Sequence, residues 1–248
     1  MRARPPGVLL AVLLLLAGGT ATASSLGSAP TAAQPRARAV LKLTFNHDTL
    51  RPGSRVHNAA GRYDGVVRTA DGGRLTRVRG VKKAAAQYPG SCAGCGAAII
   101  EVADRRRLDP RQRNIRFGAD IRMSASQEAH HSNLIQKGYY RTAGGQIKLQ
   151  VDLGRPSCVV SGFDGRAIAL WDHRITDRQW HRVVCKRKAT GVVLRVDGKV
   201  RARTQGATGR VSNDLPVRIG GKKLGPGRVD QYHGRMDNVF IRYARRPA

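Results

Sequence analysis

The chain's 248 residues suffice for one sandwich or barrel domain and leave little for a second. Hydrophobic residues make up 41%, too many for wholesale disorder, but aromatics only 5%, so a core must rest on Val, Ile, Leu and Ala. Lys and Arg number 45 against 16 Asp and Glu, a formal net charge of +29 that predicts attraction to polyanions and says nothing about fold.

Arg2 and Arg4 precede an apolar run from Val8 to Ala17, and Ala21-Thr22-Ala23 offers the small side chains of a cleavage site. Residues 1–23 therefore read as a secretory signal peptide, and no later segment approaches transmembrane length. The expected location is extracellular, either free or held on the envelope. Residues 24–39, rich in Ser, Ala and Pro, read as a flexible linker, and one domain is expected over 40–245.

From Val40 onward short β-runs are cut by Gly, Asn and Asp. The expected strands are Val40–Phe45, Gly65–Thr69, Ala97–Val102, Asn114–Met123, Asn133–Gln136, Gln146–Leu153 and Ser157–Ser161. They continue with Ala167–Leu170, His181–Arg187, Val192–Val196, Lys199–Thr204, Pro216–Ile219 and Arg235–Tyr243. Ile147, Leu149, Val151 and Leu153 alternate with Lys148, Gln150 and Asp152, the period of a half-buried strand. Residues 124–132 allow one short helical turn, and no longer helical periodicity is present. The pattern is all-β, an antiparallel sandwich or barrel.

Around Asp197-Gly198 a two-residue turn would set Leu194 opposite Arg201, mixing apolar and basic side chains on one face. A three-residue loop with Gly198 left-handed pairs Leu194 with Val200 and Arg195 with Lys199. That register sorts the faces and is the one expected, with Arg195, Lys199 and Arg201 aligned outward. Like charges set opposite one another cost stability, a cost that a bound anion would relieve.

Four cysteines in an exported chain read as disulfides, with three pairings open. Cys92 and Cys95 lie close enough in a Gly-rich loop for a local bridge. Cys158 and Cys185 each sit in a strand-like run, where a bridge between neighbouring strands is feasible.

Trp180-His181-Arg182-Val183, Val193-Leu194-Arg195-Val196-Asp197-Gly198-Lys199, Pro216-Val217-Arg218-Ile219-Gly220 and His233-Gly234-Arg235-Met236-Asp237-Asn238-Val239 follow one another in order. With Asn133-Leu134-Ile135-Gln136-Lys137-Gly138 and Leu41-Lys42-Leu43-Thr44-Phe45 upstream, the series resembles the laminin-G-like branch of the concanavalin A-like lectin/glucanase superfamily, over roughly residues 40–243. The resemblance implies a two-sheet antiparallel β-sandwich of jelly-roll type, with the first and last strands side by side and Cys158 joined to Cys185. Many members hold one structural Ca2+, which the resemblance would place at Asp237 on the closing strand, with Asp48 and carbonyls near Gly61.

Retaining glucanases of the superfamily carry Glu-x-Asp-x-x-Glu on one strand, an acid and a nucleophile about 5 Å apart. Here Asp104 follows Glu101 at the wrong spacing and Glu128 stands alone, so the chain reads as non-catalytic, glycosidase being the minor alternative. The adjacent His130-His131 pair would point to opposite sides of a strand and makes a poor chelate.

For sugar, the candidate residues are Tyr139, Tyr140, Arg141 and Trp171, although Trp171 equally suits a cap on the core. For polyanions they are Arg105, Arg106 and Arg107 with Arg111 and Arg113, the Lys186-Arg187-Lys188 run, and the hairpin's Arg195, Lys199 and Arg201. The expected function is a secreted module binding glycans or anionic polymers at the cell surface, without specific nucleic-acid binding. The alternative is a structural or adhesive protein that engages a cell-envelope or matrix protein.

Overall fold

The computed structural model describes residues 38–92, 94–225 and 229–244. The expected signal peptide lies outside these residues, as does most of the expected linker, whose last two positions, Arg38 and Ala39, already form strand. The strands in chain order begin with β1 (Arg38–Leu43), β2 (Arg55–Val56), β3 (Gly65–Ala70), β4 (Thr76–Arg79), β5 (Ala84–Gln87) and β6 (Ala97–Val102). There follow β7 (Ile115–Arg122), one 3-10 turn (Ala125–Gln127), β8 (Ser132–Lys137), β9 (Gln146–Asp152), β10 (Arg155–Gly162) and β11 (Gly165–Leu170). The last are β12 (His181–Lys188), β13 (Gly191–Val196), β14 (Lys199–Gln205), β15 (Val217–Ile219) and β16 (Arg235–Tyr243).

They form two eight-stranded antiparallel sheets. The first runs β14-β13-β12-β7-β16-β5-β4, with β1 also paired to β16; the second runs β11-β10-β9-β8-β15-β6-β3-β2. The first and last strands thus lie side by side, as the family resemblance implied. Between the sheets the core is mainly aliphatic: Ile147, Leu149 and Val151 of β9 meet residues such as Ile115, Leu194, Val239 and Ile241 of the first sheet in one buried cluster. Each such side chain contributes about 1.5–3 kcal/mol by leaving water.

Three strands escaped the sequence pattern. β2 has two residues, β4 (Thr-Arg-Val-Arg) is largely exposed, and β5 consists of Ala84, Ala85, Ala86 and Gln87, whose alanines have little intrinsic strand preference. Burial puts β5 in place: all three alanines are sealed in, and the strand is held between β4 and β16.

The hairpin register differs from the expected one. Asp197 (φ 51°) and Gly198 (φ 76°) make a two-residue turn with both centres left-handed, which matches the strand twist, and pair Val196 with Lys199 and Arg195 with Val200. An extra residue in β14, Arg201, then shifts the register so that Leu194 faces Ala202. The faces are sorted by that bulge and not by the loop. The turn is clamped from outside by His181, whose Nδ1 lies 2.7 Å from Asp197 and whose Nε2 lies 3.0 Å from Asp177.

Both disulfides form, Cys92–Cys95 and Cys158–Cys185. The second does not join neighbouring strands of one sheet: Cys158 lies on β10 and Cys185 on β12, so the bridge ties the two sheets together, with Cα atoms 5.4 Å apart. Replacing both cysteines (C158A/C185A) is expected to cost about 3 kcal/mol in a denaturant titration, more than removal of Cys92–Cys95, because the closed loop is longer.

Burial lowers the His181 pKa, but hydrogen bonds and charge from Asp197 and Asp177 outweigh it and raise it above 6.5. For Asp177 burial acts upward, and the hydrogen bonds of Gln179 and His181 outweigh it and depress it below 3.8. The histidine's contribution to stability is complete below 6.5 and lost as pH rises through its folded pKa; the aspartate's is complete above 3.8 and lost on acidification. Melting temperature should therefore decline as pH rises just above 6.5, and H181Q should flatten that decline.

Candidate ligand-binding face of the second sheet

The sequence Asn133-Leu134-Ile135-Gln136 cannot alternate simply, because two apolar residues adjoin. A register shift between Asn133 and Ile135 resolves the conflict. Leu134 and Ile135 both enter the core, and Asn133 and Gln136, three residues apart, share the opposite side of the sheet. β9 supplies Lys148, Gln150 and Asp152 to that side by ordinary alternation, since Ile147, Leu149 and Val151 are in the core.

Cross-strand pairing assembles these side chains into rows. Asn133 faces Gln150, which faces Ser157; Glu101 faces Arg218, then Gln136, then Lys148. A third row sets Gln146 beside Ser161 and Arg166. The amides are almost closed off from water: Asn133 is 0%, Gln136 4% and Gln150 8% exposed. Asn133 donates to Gln136 Oε1 and Asp230, Gln136 donates to the Gly138 carbonyl, and Gln150 donates to Asp152 at 2.7 Å.

The amide nitrogens of Asn133, Gln136 and Gln150 are therefore used, whereas the acceptors Asn133 Oδ1, Gln150 Oε1 and Asp152 Oδ1 and the Ser161 hydroxyl are buried without a partner among the described residues. Each unmet polar atom costs about 1–3 kcal/mol, a cost that a ligand hydroxyl would remove. Lys148 lies among them. Burial lowers its pKa, Asp152 and Asp230 pull it back up, and Arg166 and Lys222 add to the lowering.

Two expected aromatic residues stand at this face. Tyr139 Oη accepts a hydrogen bond from Arg218, which also holds Glu101 at 3.0 Å, and Lys222 lies over the same ring. Tyr140 is 57% exposed, with Arg166 4.3 Å and Arg141 5.7 Å from its ring centroid. The amides themselves were missed. The alternation of β9 marked Lys148, Gln150 and Asp152 as facing away from the core, but no local pattern showed that Asn133 and Gln136 would join them.

The other expected residues lie elsewhere. Trp171 packs against the core, stacks on His173 and carries the Arg201 guanidinium 4.4 Å from its ring centroid. Arg201 therefore departs from Arg195, and Lys199 sits next to the turn. Arg105, Arg106 and Arg107 are exposed in the segment after β6, with Arg105 over Tyr63. The Lys186-Arg187-Lys188 run forms the end of β12, and Arg187 is buried with its guanidinium on the carbonyls of Arg111 and Gly209.

The two aspartates proposed for calcium engage different segments. Asp48 accepts the His57 N–H, whereas Asp237, its pKa raised chiefly by burial, accepts the Val81 and Asn238 N–H groups. Among the described residues no group of three or more His, Cys, Asp or Glu side chains is gathered at either aspartate.

Residues 134–242 match the family model described as laminin G domain. The sequence matches no curated protein. Domain 4 of AbnA, a GH43 extracellular arabinanase from Geobacillus stearothermophilus solved with arabinotriose, is similar with a TM-score of 0.63 at 14% identity, covering 85% of this chain and 94% of that one. The receptor binding domain of botulinum neurotoxin mosaic serotype C/D gives 0.58 at 15% identity, covering 85% and 48%. The binding domain of Paraclostridial Mosquitocidal Protein 1 gives 0.57 at 13%, covering 85% and 50%, so the chain spans about half of each toxin domain. Two stacked antiparallel sheets and adjoining first and last strands give this chain a jelly-roll sandwich fold, and over residues 134–242 it is similar to laminin G domains.

Proposed function

We propose that the chain is a secreted, non-catalytic module that binds a saccharide on the outer face of the second sheet. The carrying observation is the row of nearly buried amides whose acceptors, Asn133 Oδ1 and Gln150 Oε1, have no partner. Sugar hydroxyls donate as well as accept, and Tyr139 and Tyr140 at the rim supply the apolar surface that a pyranose or furanose ring stacks on. The similar AbnA domain was solved with arabinotriose, which makes arabinan a first probe. Export rests on the leader-like N-terminus and the two disulfides.

The glutamates are engaged in other work: Glu101 holds Arg218, and Glu128 accepts from Thr176 and pairs with Arg174. One observation favours a second reading, glycoside hydrolysis: Asp152 and Asp230 both act on Lys148 within the same face. Incubation with arabinan and β-glucan separates the two readings, because released reducing ends that vanish in D152N or D230N would make it an enzyme.

A glycan array with purified protein should show binding to neutral oligosaccharides that survives added salt, and N133A/Q150A should weaken it at least tenfold without loss of the folded state. Parallel runs with Ca2+ and with EDTA read the calcium expectation at Asp48 and Asp237. Salt-insensitive capture of an envelope or matrix protein, with every glycan silent, would replace the saccharide by a protein partner.

A further inference from the structure

Exposed apolar side chains are ordinary when scattered and informative when gathered. Among the described residues five large hydrophobic side chains stand exposed, and four of them belong to one margin of the second sheet. Phe163 caps the hairpin between β10 and β11 at 91% exposure, Ile168 and Leu170 follow on β11, and Tyr140 stands beside Arg166 of that strand. Ala167 and Ala169 enter the core, so alternation turns Arg166, Ile168 and Leu170 outward along the last strand of the sheet.

Backbone contacts fix the place of Phe163. Gly162 pairs with Gly165 and leaves Phe163-Asp164 as a two-residue turn. Phe163 donates its N–H to the Arg210 carbonyl at 2.9 Å, and Asp164 donates to the Thr208 carbonyl. A Cβ on Gly162 would meet that Thr208 oxygen at 2.1 Å, so glycine is what lets the turn lie against residues 208–210. The braced turn holds the ring out in water. Its surroundings are cationic: Arg166 and Arg141 lie 4.3 and 5.7 Å from the Tyr140 ring centroid, and Arg210 is exposed beside the turn. Among the described residues, none of these three arginines pairs with a carboxylate. The acids that flank the hairpin are turned elsewhere, Asp164 lying against Gly209 and Asp172 pairing with Arg155 at 2.7 Å.

We infer that this margin docks on a lipid bilayer with anionic headgroups, Phe163 and Leu170 entering the interface while Arg141, Arg166 and Arg210 meet phosphate. A projecting tip with its apolar groups in single file suits a soft, penetrable surface. A stable protein interface needs a broad patch of about 800 Å² on each side, and one strand at a sheet border does not supply it. A second copy of this chain is opposed by the net charge of +29 that each would carry. The margin lies beyond the amide rows, with Ile168 paired to Val159 and Leu170 to Ser157, and its docking does not depend on saccharide binding.

Sedimentation of the whole chain with vesicles of phosphatidylcholine, alone or mixed with phosphatidylglycerol, tests the assignment, and neither lipid carries a sugar. Binding to the mixed vesicles should persist in part at high salt, where attraction through charge alone is screened. F163S/L170S keeps every charge and should lose at least tenfold in partitioning, because burying one side chain of this size is worth roughly tenfold. It should melt at the parent's temperature, since both residues are exposed. R141Q/R166Q/R210Q should lose at least fivefold on the mixed vesicles, and R105Q/R106Q/R107Q, equal in charge, less than twofold. In F163W, fluorescence should shift to the blue on these vesicles and be quenched by lipids brominated in their acyl chains more strongly than in the parent. Unchanged partitioning of F163S/L170S, or a bound F163W that brominated lipid leaves unquenched, would overturn the inference. A parent dimer that F163S/L170S dissolves would overturn it too, by assigning the margin to a second copy.

Discussion

Every strand here must give one side to a shared core, and the period of two in a pleated backbone enforces that division. With few aromatic residues available, the core is sealed by aliphatic side chains drawn evenly from both sheets. Once the inner positions are committed, the outer positions are free to carry any chemistry, and the two sheets use that freedom differently. Where the sequence breaks the period, at Leu134-Ile135 and at Arg201, a bulge restores it. The bulge in β8 has the larger consequence, because it brings two amides to one side of the second sheet.

The excess of positive charge is likewise not one population. Lys137 is fully buried, its ammonium held by Asp104, Asp109 and the carbonyls of Asn213 and Leu215. Arg187 is buried on carbonyl oxygens alone. Loss of a partner from either site would strand a charge away from water, so these residues fasten β8 and β12 to the loops beside them. The row of Arg203, Lys186, Arg116 and Arg242 across the first sheet is different in kind, because among the described residues these cations pair with no carboxylate. Counting basic residues along the chain cannot separate these groups; burial and register do.

Much of the architecture was readable beforehand. Clean alternation located β9, and the family resemblance anticipated the pairing of the first and last strands and the Cys158–Cys185 bond. What failed depended on partners remote in sequence. The alanines of β5 are strand because β16 and β4 enclose them, and Arg187 is buried because carbonyls from distant loops meet it. Of the expected binding residues, Tyr139 and Tyr140 sit at the amide face, whereas Trp171 belongs partly to the core. Arg105, Arg106 and Arg107 were conspicuous because they adjoin in sequence, yet the aligned cations come from separate strands and adjoin only after folding.

The sheet margins carry one more consequence. At one side, the Thr204 hydroxyl of β14 donates to the Ile168 carbonyl of β11, so the two sheets meet there. β1 is covered by Asn58, whose side chain accepts the Lys42 N–H and donates to the Val40 carbonyl. The remaining borders are β2, only two residues long, and β4, which bears Arg77 and Arg79. Among the described residues, borders that are shut, short or strongly charged leave a foreign strand little backbone to pair with.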